Sequence, residues 1–167
     1  MKHLILGGAR SGKSRIAQQL AEQAVPAPYL IATAEAGDEE MAQRIARHQQ
    51  DRPPHWEVCE QPIGLARQLQ TLDAPSRCVV VDCLSLWLSN CLHQDCWARE
   101  REALMNCLPG IEAQVILVSN EVGMGIIPMG ELSRRFVDEI GWLHQDLATL
   151  CDKVTLVTAG LPQILKE

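Results

Sequence analysis

Apolar residues along this chain fall into short runs, separated by longer stretches in which they recur every three or four positions. The short runs predict strands, and the longer amphipathic stretches predict helices. The predicted strands cover residues 2–6, 29–32, 56–60, 78–82, 114–119 and 153–158. The predicted helices cover residues 13–24, 38–50, 63–72, 97–108 and 130–150.

Strands that alternate with helices in this way predict an α/β fold. Most of the predicted strands are apolar at nearly every position, which is typical of a mostly parallel sheet covered by helices on both faces. In the first predicted helix, Ile16, Ala17, Leu20 and Ala24 are expected to share the buried face. The chain has 167 residues and no repeat or linker, so we expect a single domain over residues 1–167.

Composition narrows the classes of function. The net charge of -6 argues against a nucleic-acid partner held by a broad basic face. The apolar run after Met1 is too short for a signal-peptide core, and no stretch approaches the ~20 apolar residues of a membrane span. We therefore expect a cytoplasmic protein without a membrane span.

The cysteines of this chain have three possible roles: disulfides, zinc ligands or free thiols. Their number, seven, is odd, and a cytoplasmic compartment is reducing, so disulfides are not expected. Cys91, His93 and Cys96 could contribute to a zinc site, but no matching second half occurs elsewhere in the chain. Free thiols are the favoured interpretation.

One motif carries strong chemical information. Between the first predicted strand and helix, the letters GGARSGKS match the phosphate-loop pattern G-x-x-x-x-G-K-[ST]. Backbone N–H groups of such a loop surround phosphate oxygens, and the helix that follows adds its unpaired N–H groups. This motif predicts a nucleotide-triphosphate-using enzyme with the P-loop NTPase fold of the RecA-like type. Its residues are Gly7, Gly8, Ala9, Arg10, Ser11, Gly12, Lys13 and Ser14.

Specific roles follow from the chemistry of this loop. Lys13 is expected to contact the β- and γ-phosphates, and the Ser14 hydroxyl to ligate Mg²⁺. Asp82 ends an apolar strand, where ligands of parallel sheets collect, and is the candidate second acid for Mg²⁺. The alternative for Asp82 is a cap on a following helix.

Three histidines are candidates for a functional role. In the predicted helix 38–50, Met41, Ile45 and His48 share one face, so spacing alone favours a structural role for His48. A neutral imidazole can also attack phosphorus and form a covalent phosphoramidate. His55 and His93 have no such setting and are expected to be surface or loop histidines.

Several segments together resemble one family. Besides GGARSGKS, they are Ile31-Ala32-Thr33-Ala34, Arg44-Ile45-x-x-His48-x-x-x-Arg52-Pro53-x-x-Trp56, Val81-Asp82-Cys83-Leu84-Ser85-x-Trp87-x-x-Asn90 and the run from Val118 to Pro128. In this order they are similar to the bifunctional adenosylcobinamide kinase/adenosylcobinamide-phosphate guanylyltransferase family of cobalamin biosynthesis. The resemblance covers nearly the whole chain.

The resemblance implies two reactions with ATP and GTP as substrates and Mg²⁺ as cofactor. Adenosylcobinamide would be phosphorylated, and GMP would then pass from GTP through a covalent intermediate on His48 to adenosylcobinamide phosphate. The products would be adenosylcobinamide-GDP and pyrophosphate. The resemblance also implies a homo-oligomer, for which a trimer is one arrangement. The implied nucleotide contacts are the eight loop residues with Ala32, Thr33, Ala34, Gln49, Gln50, Asp51, Arg52, Glu60 and Asp82.

Two departures from the family pattern stand out. The stretch after Asn90 is shorter than usual, and His144-Gln145 stands where such proteins often have Asn-Gln. The resemblance implies that the segment Asn120 to Gly125 is a loop near the active edge of the sheet, and we assign it no chemical role from the sequence. Two other functions stay open: a P-loop kinase of another small molecule with a structural His48, and a nucleotide-dependent switch that binds a protein partner.

Overall fold

A computed structural model describes residues 1–35 and 55–167. The strands are β1 (Lys2–Gly7), β2 (Tyr29–Ala32), β3 (Glu57–Glu60), β4 (Cys78–Asp82), β5 (Gln114–Asn120), β6 (Lys153–Thr158) and β7 (Leu161–Lys166). The α-helices are α1 (Lys13–Ala24), α2 (Leu65–Thr71), α3 (Leu84–His93), α4 (Trp97–Cys107) and α5 (Glu131–Leu150), and a 3-10 turn covers Leu108–Gly110. The predicted helix 38–50 lies outside the described residues.

The seven described strands form one sheet in the order β3-β2-β4-β5-β1-β6-β7. Every neighbouring pair is parallel except β6 and β7, which form an antiparallel hairpin at the edge. The prediction of a mostly parallel α/β sheet is therefore confirmed. All six predicted strands are present, with ends that differ by one residue at most.

Side chains of the central strands alternate between two apolar cores, one on each face of the sheet. In β5, Val115 and Leu117 join the core under α2 to α5, while Ile116 and Val118 join the core under α1. β1 and β4 alternate in the same way. The near-continuous apolar character of these strands follows from burial on both faces.

Helix α1 packs through smaller side chains than its apolar spacing predicts. Ala17 and Ala21 are fully buried, and Ile16 and Leu20 are half-buried beside them. The expectation that Ala24 shares the buried face is wrong, because Ala24 is exposed in the last turn. Alanines at the contact let the helix axis lie close to the sheet, which keeps the start of α1 near the end of β1.

One α-helix and one strand among the described residues were not predicted. Helix α3 carries Leu84, Trp87, Leu88 and Cys91 at helical spacing, and all four are buried, so the signal was present in the sequence. Strand β7 is exposed along its whole length and contains Pro162. It has neither a buried face nor an alternating pattern, and it forms only as the edge partner of β6.

Helices α3, α4 and α5 cover the face of the sheet opposite α1. The rings of Trp87 and Trp97 meet edge to face with centroids 5.2 Å apart. The Trp97 Nε1–H donates to Glu139 Oε2 over 2.7 Å, which ties α4 to α5. Within residues 1–35 and 55–167, no helix combines the length and apolar character needed to cross a bilayer.

Candidate nucleotide site

The carboxyl ends of five neighbouring strands bring most of the described site residues to one edge of the sheet. In the strand register, Ala32 pairs with both Glu60 and Asp82. On the other side of β4, Asp82 pairs with Val118 of β5, and two residues further along β5 Asn120 pairs with Gly7 of β1. The phosphate loop and Asp82 therefore lie at the same edge, separated by the end of β5.

The phosphate loop spans the turn between β1 and α1, and its first and last glycines are required by the geometry. A Cβ atom on Gly7 would lie 2.4 Å from Ser11 Oγ and 2.7 Å from the Val157 carbonyl oxygen. Gly12 has φ 93°, in the left-handed region, and caps the start of α1. Larger residues at either position would change the path of the backbone that surrounds the phosphates.

Lys13 is the buried cation of this loop. Its side chain is buried, and its ammonium group donates to the Gly8 carbonyl oxygen over 3.2 Å. Burial lowers the pKa of Lys13, and the nearby Asp82 carboxylate opposes that change. A partly desolvated ammonium group interacts more strongly with a phosphate than an exposed one, because less water screens it.

The hairpin between β6 and β7 braces the loop from the other side. Ala159 and Gly160 form its turn with φ 53° and φ 79°. The Gly160 N–H donates to the Ser11 carbonyl oxygen over 2.8 Å, and Cβ placed on Gly12 would lie 3.2 Å from Gly160 Cα. The loop is thus held by backbone contacts to an element near the end of the chain.

Ser14 and Asp82 offer donors that suit Mg²⁺. Ser14 is half-buried in the first turn of α1, and Asp82 is half-buried at the end of β4. A hydroxyl and a carboxylate are the hard oxygen ligands that Mg²⁺ prefers alongside phosphate oxygens. The alternative of Asp82 as a helix cap is excluded, since α3 begins at Leu84 with Cys83 at the cap position.

Thr33 holds two strand ends together. Its hydroxyl donates to the Cys83 carbonyl oxygen over 2.6 Å and accepts from the Cys83 N–H over 2.9 Å. The side chain has no exposed surface, and the Thr33 carbonyl oxygen accepts from the Asn90 amide. These bonds tie the residue after β2 to the residue after Asp82, and so fix the ends of β2 and β4 relative to each other. A nucleotide contact by Thr33 stays a prediction.

Several predicted site residues lie outside the described residues: His48, Gln49, Gln50, Asp51 and Arg52. Among the described histidines, His55 is exposed, and His93 is exposed in the last turn of α3, where its Nδ1 contacts the Ser89 carbonyl oxygen. Across residues 1–35 and 55–167 no three His, Cys, Asp or Glu side chains are grouped to hold a metal ion. All seven cysteines are free.

One feature of the site was not foreseen from the sequence. A chain of polar groups lies on the α5 side of the sheet, at the end of β5, and we name it the His144 network. His144 is buried on the apolar stripe of α5, a spacing signal that would have indicated an inward-facing histidine. Its partners come from the starts or ends of other elements, which sequence spacing does not connect. The members are Ser85, Ser119, Glu121 and His144.

The fold and this site define a P-loop nucleotide-triphosphate-using enzyme. The sequence profile of the family described as "Cobinamide kinase / cobinamide phosphate guanyltransferase" matches residues 3–165. The chain belongs to this family of bifunctional enzymes.

Relatives over the full length agree with the family match. The chain is 54% identical over 169 residues to the bifunctional adenosylcobalamin biosynthesis protein CobP of Pseudomonas aeruginosa, covering 99% of this chain and 98% of that protein. It is 36% identical over 177 residues to the bifunctional adenosylcobalamin biosynthesis protein CobU of Escherichia coli, covering 96% of this chain and 97% of that protein. The enzyme class of the chain follows from these matches.

Solved structures confirm the fold. The KaiC-like protein PH0186 of Pyrococcus horikoshii has a TM-score of 0.50 at 16% identity, covering 93% of this chain and 69% of that chain. The P4 protein of bacteriophage phi13 has a TM-score of 0.51 at 14% identity, covering 96% of this chain and 52% of that chain. At such low identity, the likeness extends to the fold alone.

Proposed function

We propose that this enzyme phosphorylates adenosylcobinamide with ATP or GTP and then transfers GMP from GTP to adenosylcobinamide phosphate. The products of the second reaction are adenosylcobinamide-GDP and pyrophosphate. The observation that carries the proposal is a braced phosphate loop with a buried Lys13, in a chain that matches the family over residues 3–165. The reactions named for its relatives both need a triphosphate held in this way.

In the kinase reaction, a hydroxyl oxygen of the aminopropanol arm of adenosylcobinamide attacks the γ-phosphorus. The new O–P bond forms as the bond to the β,γ-bridging oxygen breaks, and the electron pair leaves with the nucleoside diphosphate. Lys13 and the loop N–H groups stabilise the charge that develops on the phosphate oxygens. Mg²⁺, held by Ser14 and Asp82, would supply further charge neutralisation. No covalent bond to the protein is needed.

In the guanylyl transfer, a neutral imidazole nitrogen of His48 attacks the α-phosphorus of GTP, and pyrophosphate leaves. The phosphate of adenosylcobinamide phosphate then attacks the same phosphorus, and the N–P bond returns its electron pair to His48. The residues implied to contact the nucleotide here include Gln49, Gln50, Asp51 and Arg52. Because a protonated imidazole has no free electron pair, we expect GMP loading to fall in acid.

Labelling with GTP that carries the label on its α-phosphate tests this proposal. We expect a protein adduct that is labile in acid and stable in alkali, as a phosphoramidate is. His48→Ala should abolish the adduct, whereas His55→Ala, a change at an exposed histidine close in sequence, should leave it intact. An adduct that persists in His48→Ala would contradict the proposed intermediate. Absence of any adduct in the unmodified enzyme would favour a kinase without the second reaction.

The expected homo-oligomer requires a separate measurement. Light scattering coupled to gel filtration gives the mass of the particle in solution. For a trimer, the expected mass is three times 18.5 kDa. A mass of one chain would contradict the prediction of an oligomer.

A further inference from the structure

Glu121 follows β5 directly and lies beside the phosphate loop. Its N–H donates to the Gly7 carbonyl oxygen over 3.0 Å, so its backbone contacts the first residue of the loop. The side chain is 21% exposed, which leaves the carboxylate within reach of a ligand. β5 itself lies between the strand that ends in Gly7 and the strand that ends in Asp82. Glu121 therefore stands at the edge between the phosphate loop and the candidate Mg²⁺ ligand.

One hydrogen bond holds the Glu121 carboxylate, and a buried ring lies next to it. One oxygen, Oε1, accepts from the Gly123 N–H over 2.5 Å. The other, Oε2, faces His144 Nδ1 at 3.9 Å. The first contact limits the motion of the side chain, and the second places one carboxylate oxygen beside a ring that is almost fully buried.

The rest of the His144 network orients that ring. Ser85 Oγ accepts from the Asn120 N–H over 2.8 Å and lies 3.4 Å from Ser119 Oγ. Ser119 Oγ lies 2.7 Å from His144 Nε2. When the Ser85 hydroxyl donates to Ser119 Oγ and the Ser119 hydroxyl donates to His144 Nε2, Nε2 is an acceptor. The ring proton is then on Nδ1, which faces Glu121. Burial lowers the pKa of His144, and the Glu121 charge opposes this, so the ring is neutral near pH 7.

A serine, a histidine and a glutamate in this order also suggest a nucleophilic serine. Burial excludes that role, because Ser119 has no exposed surface and no substrate carbonyl or phosphorus can reach its oxygen. Ser119 is therefore a hydrogen-bond partner that orients His144. The most exposed group of the network is the Glu121 carboxylate.

We propose that Glu121 is a catalytic residue of the kinase reaction, the base that takes the proton of the attacking hydroxyl, and that His144 is its positioning residue. As the substrate oxygen bonds to the γ-phosphorus, its proton passes to a Glu121 carboxylate oxygen, and the resulting carboxylic acid later releases it to water. This inference rests on the proposed function, because it assumes a hydroxyl acceptor for the γ-phosphoryl group.

The spacing of the sheet favours Glu121 over other carboxylates at this edge. Neighbouring strands lie about 4.8 Å apart, so the end of β5 is about 5 Å from the end of β1. Glu60 ends β3, four strands from β1, and thus lies about 19 Å away across the sheet. Asp82 lies two strands from β1 and is the candidate Mg²⁺ ligand. Asp82 is close enough to Lys13 to affect its pKa, but its carboxylate is assigned to Mg²⁺, so Glu121 is the remaining carboxylate of these three that lies beside the loop and can take the hydroxyl proton.

Glu121→Gln is the direct test, because the amide keeps an oxygen for the Gly123 N–H and loses the capacity to accept a proton. We expect kcat for phosphorylation of adenosylcobinamide to fall by about 10² to 10⁴. The nucleotide Kd and the rate of GMP loading from GTP should stay within threefold of the unmodified enzyme, because neither involves the hydroxyl. Glu121→Asp should recover at least tenfold over Glu121→Gln. Glu131→Gln, at an exposed position in the first turn of α5, is the matched control and should leave kcat unchanged.

His144→Gln tests the positioning role. We expect kcat to fall by about tenfold while the KM for adenosylcobinamide stays within twofold, since the residue would act through Glu121 and not on the substrate. In a background of Glu121→Gln, the same change should have no further effect on kcat.

A kcat of Glu121→Gln within threefold of the unmodified enzyme would overturn the inference, and so would equal losses of phosphorylation and GMP loading. The rate at which the enzyme slowly hydrolyses the γ-phosphate in the absence of corrinoid distinguishes failure of this inference from failure of the proposed function. Suppose that the enzyme phosphorylates no adenosylcobinamide, but that its hydrolysis of the γ-phosphate still falls at least tenfold in Glu121→Gln. That result would contradict the proposed function and support Glu121 as the base. Hydrolysis unaffected by Glu121→Gln would contradict the base.

Discussion

The phosphate loop and the His144 network lie at the same edge of the sheet but are assembled differently. The loop is a run of eight consecutive residues, and its shape depends on glycines at positions 7 and 12. The network joins side chains from α3, β5 and α5 that are far apart in the chain. The phosphate loop is built from backbone N–H groups and depends on the absence of side chains. The His144 network is built from side chains that come into contact only in the folded protein.

This difference predicts which substitutions should disrupt each region. A single methyl group added at Gly7 should distort the loop, because it would press against the Val157 carbonyl oxygen, a backbone atom that cannot move aside. Loss of one network member leaves a buried polar group without a partner, while the backbone around it stays in place. The loop should therefore respond to steric changes, and the network to polar ones.

The largest effect is expected for Gly7→Ala. The added Cβ would lie 2.4 Å from Ser11 Oγ and 2.7 Å from a backbone oxygen, so the loop must shift. We expect a loss of about 3 kcal/mol in the free energy of unfolding and no measurable nucleotide binding. Urea unfolding and nucleotide titration measure both. Gly8→Ala is the matched control for stability, since its Cβ would meet no protein atom within 4 Å, and an equal loss in the free energy of unfolding for both changes would contradict the steric account.

The next effect is expected for Ser119→Ala. This change removes the hydroxyl 2.7 Å from His144 Nε2 and leaves a buried ring nitrogen without its partner. The free energy of unfolding should fall by about 2 kcal/mol, as measured by urea unfolding. Ser133→Ala, at an exposed position of α5, should change it by less than about 0.5 kcal/mol. An unchanged free energy of unfolding in Ser119→Ala would contradict this account, because water or another group would then form the hydrogen bond to His144 Nε2.

A smaller effect is expected from pH. Burial lowers the pKa of His3, helped by the Lys153 charge, and burial also lowers the pKa of His144. In the unfolded chain these rings take up protons near the ordinary histidine pKa of about 6.5, which the folded protein resists. Stability should therefore be full above pH 6.5 and should fall below it, by up to about 1.4 kcal/mol per pH unit for each histidine.

Urea unfolding at pH 7.5 and pH 5.5 measures this dependence. His3→Gln should remove part of it, because the buried ring that contacts Thr155 Oγ1 is gone. His93→Gln, at an exposed position, should retain all of it. Equal stability at both pH values in the unmodified protein would contradict the account.

The smallest effect is expected for Gly160→Ala in the hairpin that braces the loop. Gly160 has φ 79°, and a Cβ there would lie 3.2 Å from an Arg15 guanidinium nitrogen. We expect a loss of about 1 kcal/mol from the left-handed backbone, while the flexible arginine moves aside. Gly110→Ala, where a Cβ meets nothing within 4 Å, should be neutral in the same thermal or urea unfolding measurement. A neutral Gly160→Ala would contradict the strain.

The sequence predicted the parallel sheet and the phosphate loop because both are local signals. Apolar runs such as Cys78–Asp82 report burial on both faces, and GGARSGKS carries its loop geometry in consecutive residues. Strand β7 could not be predicted, since its formation depends on an edge partner and not on its own pattern.

The His144 network was missed for the related reason that its contacts are long-range. Ser85 and Ser119 are polar residues in apolar segments, and His144 lies on an apolar helix face, but spacing within one element does not show that these groups meet. The contact of Gly160 with Ser11 joins residues from opposite ends of the chain. His48 was singled out by resemblance and not by helix spacing, and its role stays a prediction.

The central claim is that one phosphate loop serves two reactions, and Lys13→Met tests it most directly. This change removes the loop cation and keeps most of the side-chain volume. We expect both γ-phosphoryl transfer to adenosylcobinamide and GMP loading from α-labelled GTP to fall by at least about 100-fold, while Lys153→Met at an exposed position affects neither. GMP loading at the unmodified rate in Lys13→Met would contradict a shared loop and assign the two reactions to separate nucleotide sites.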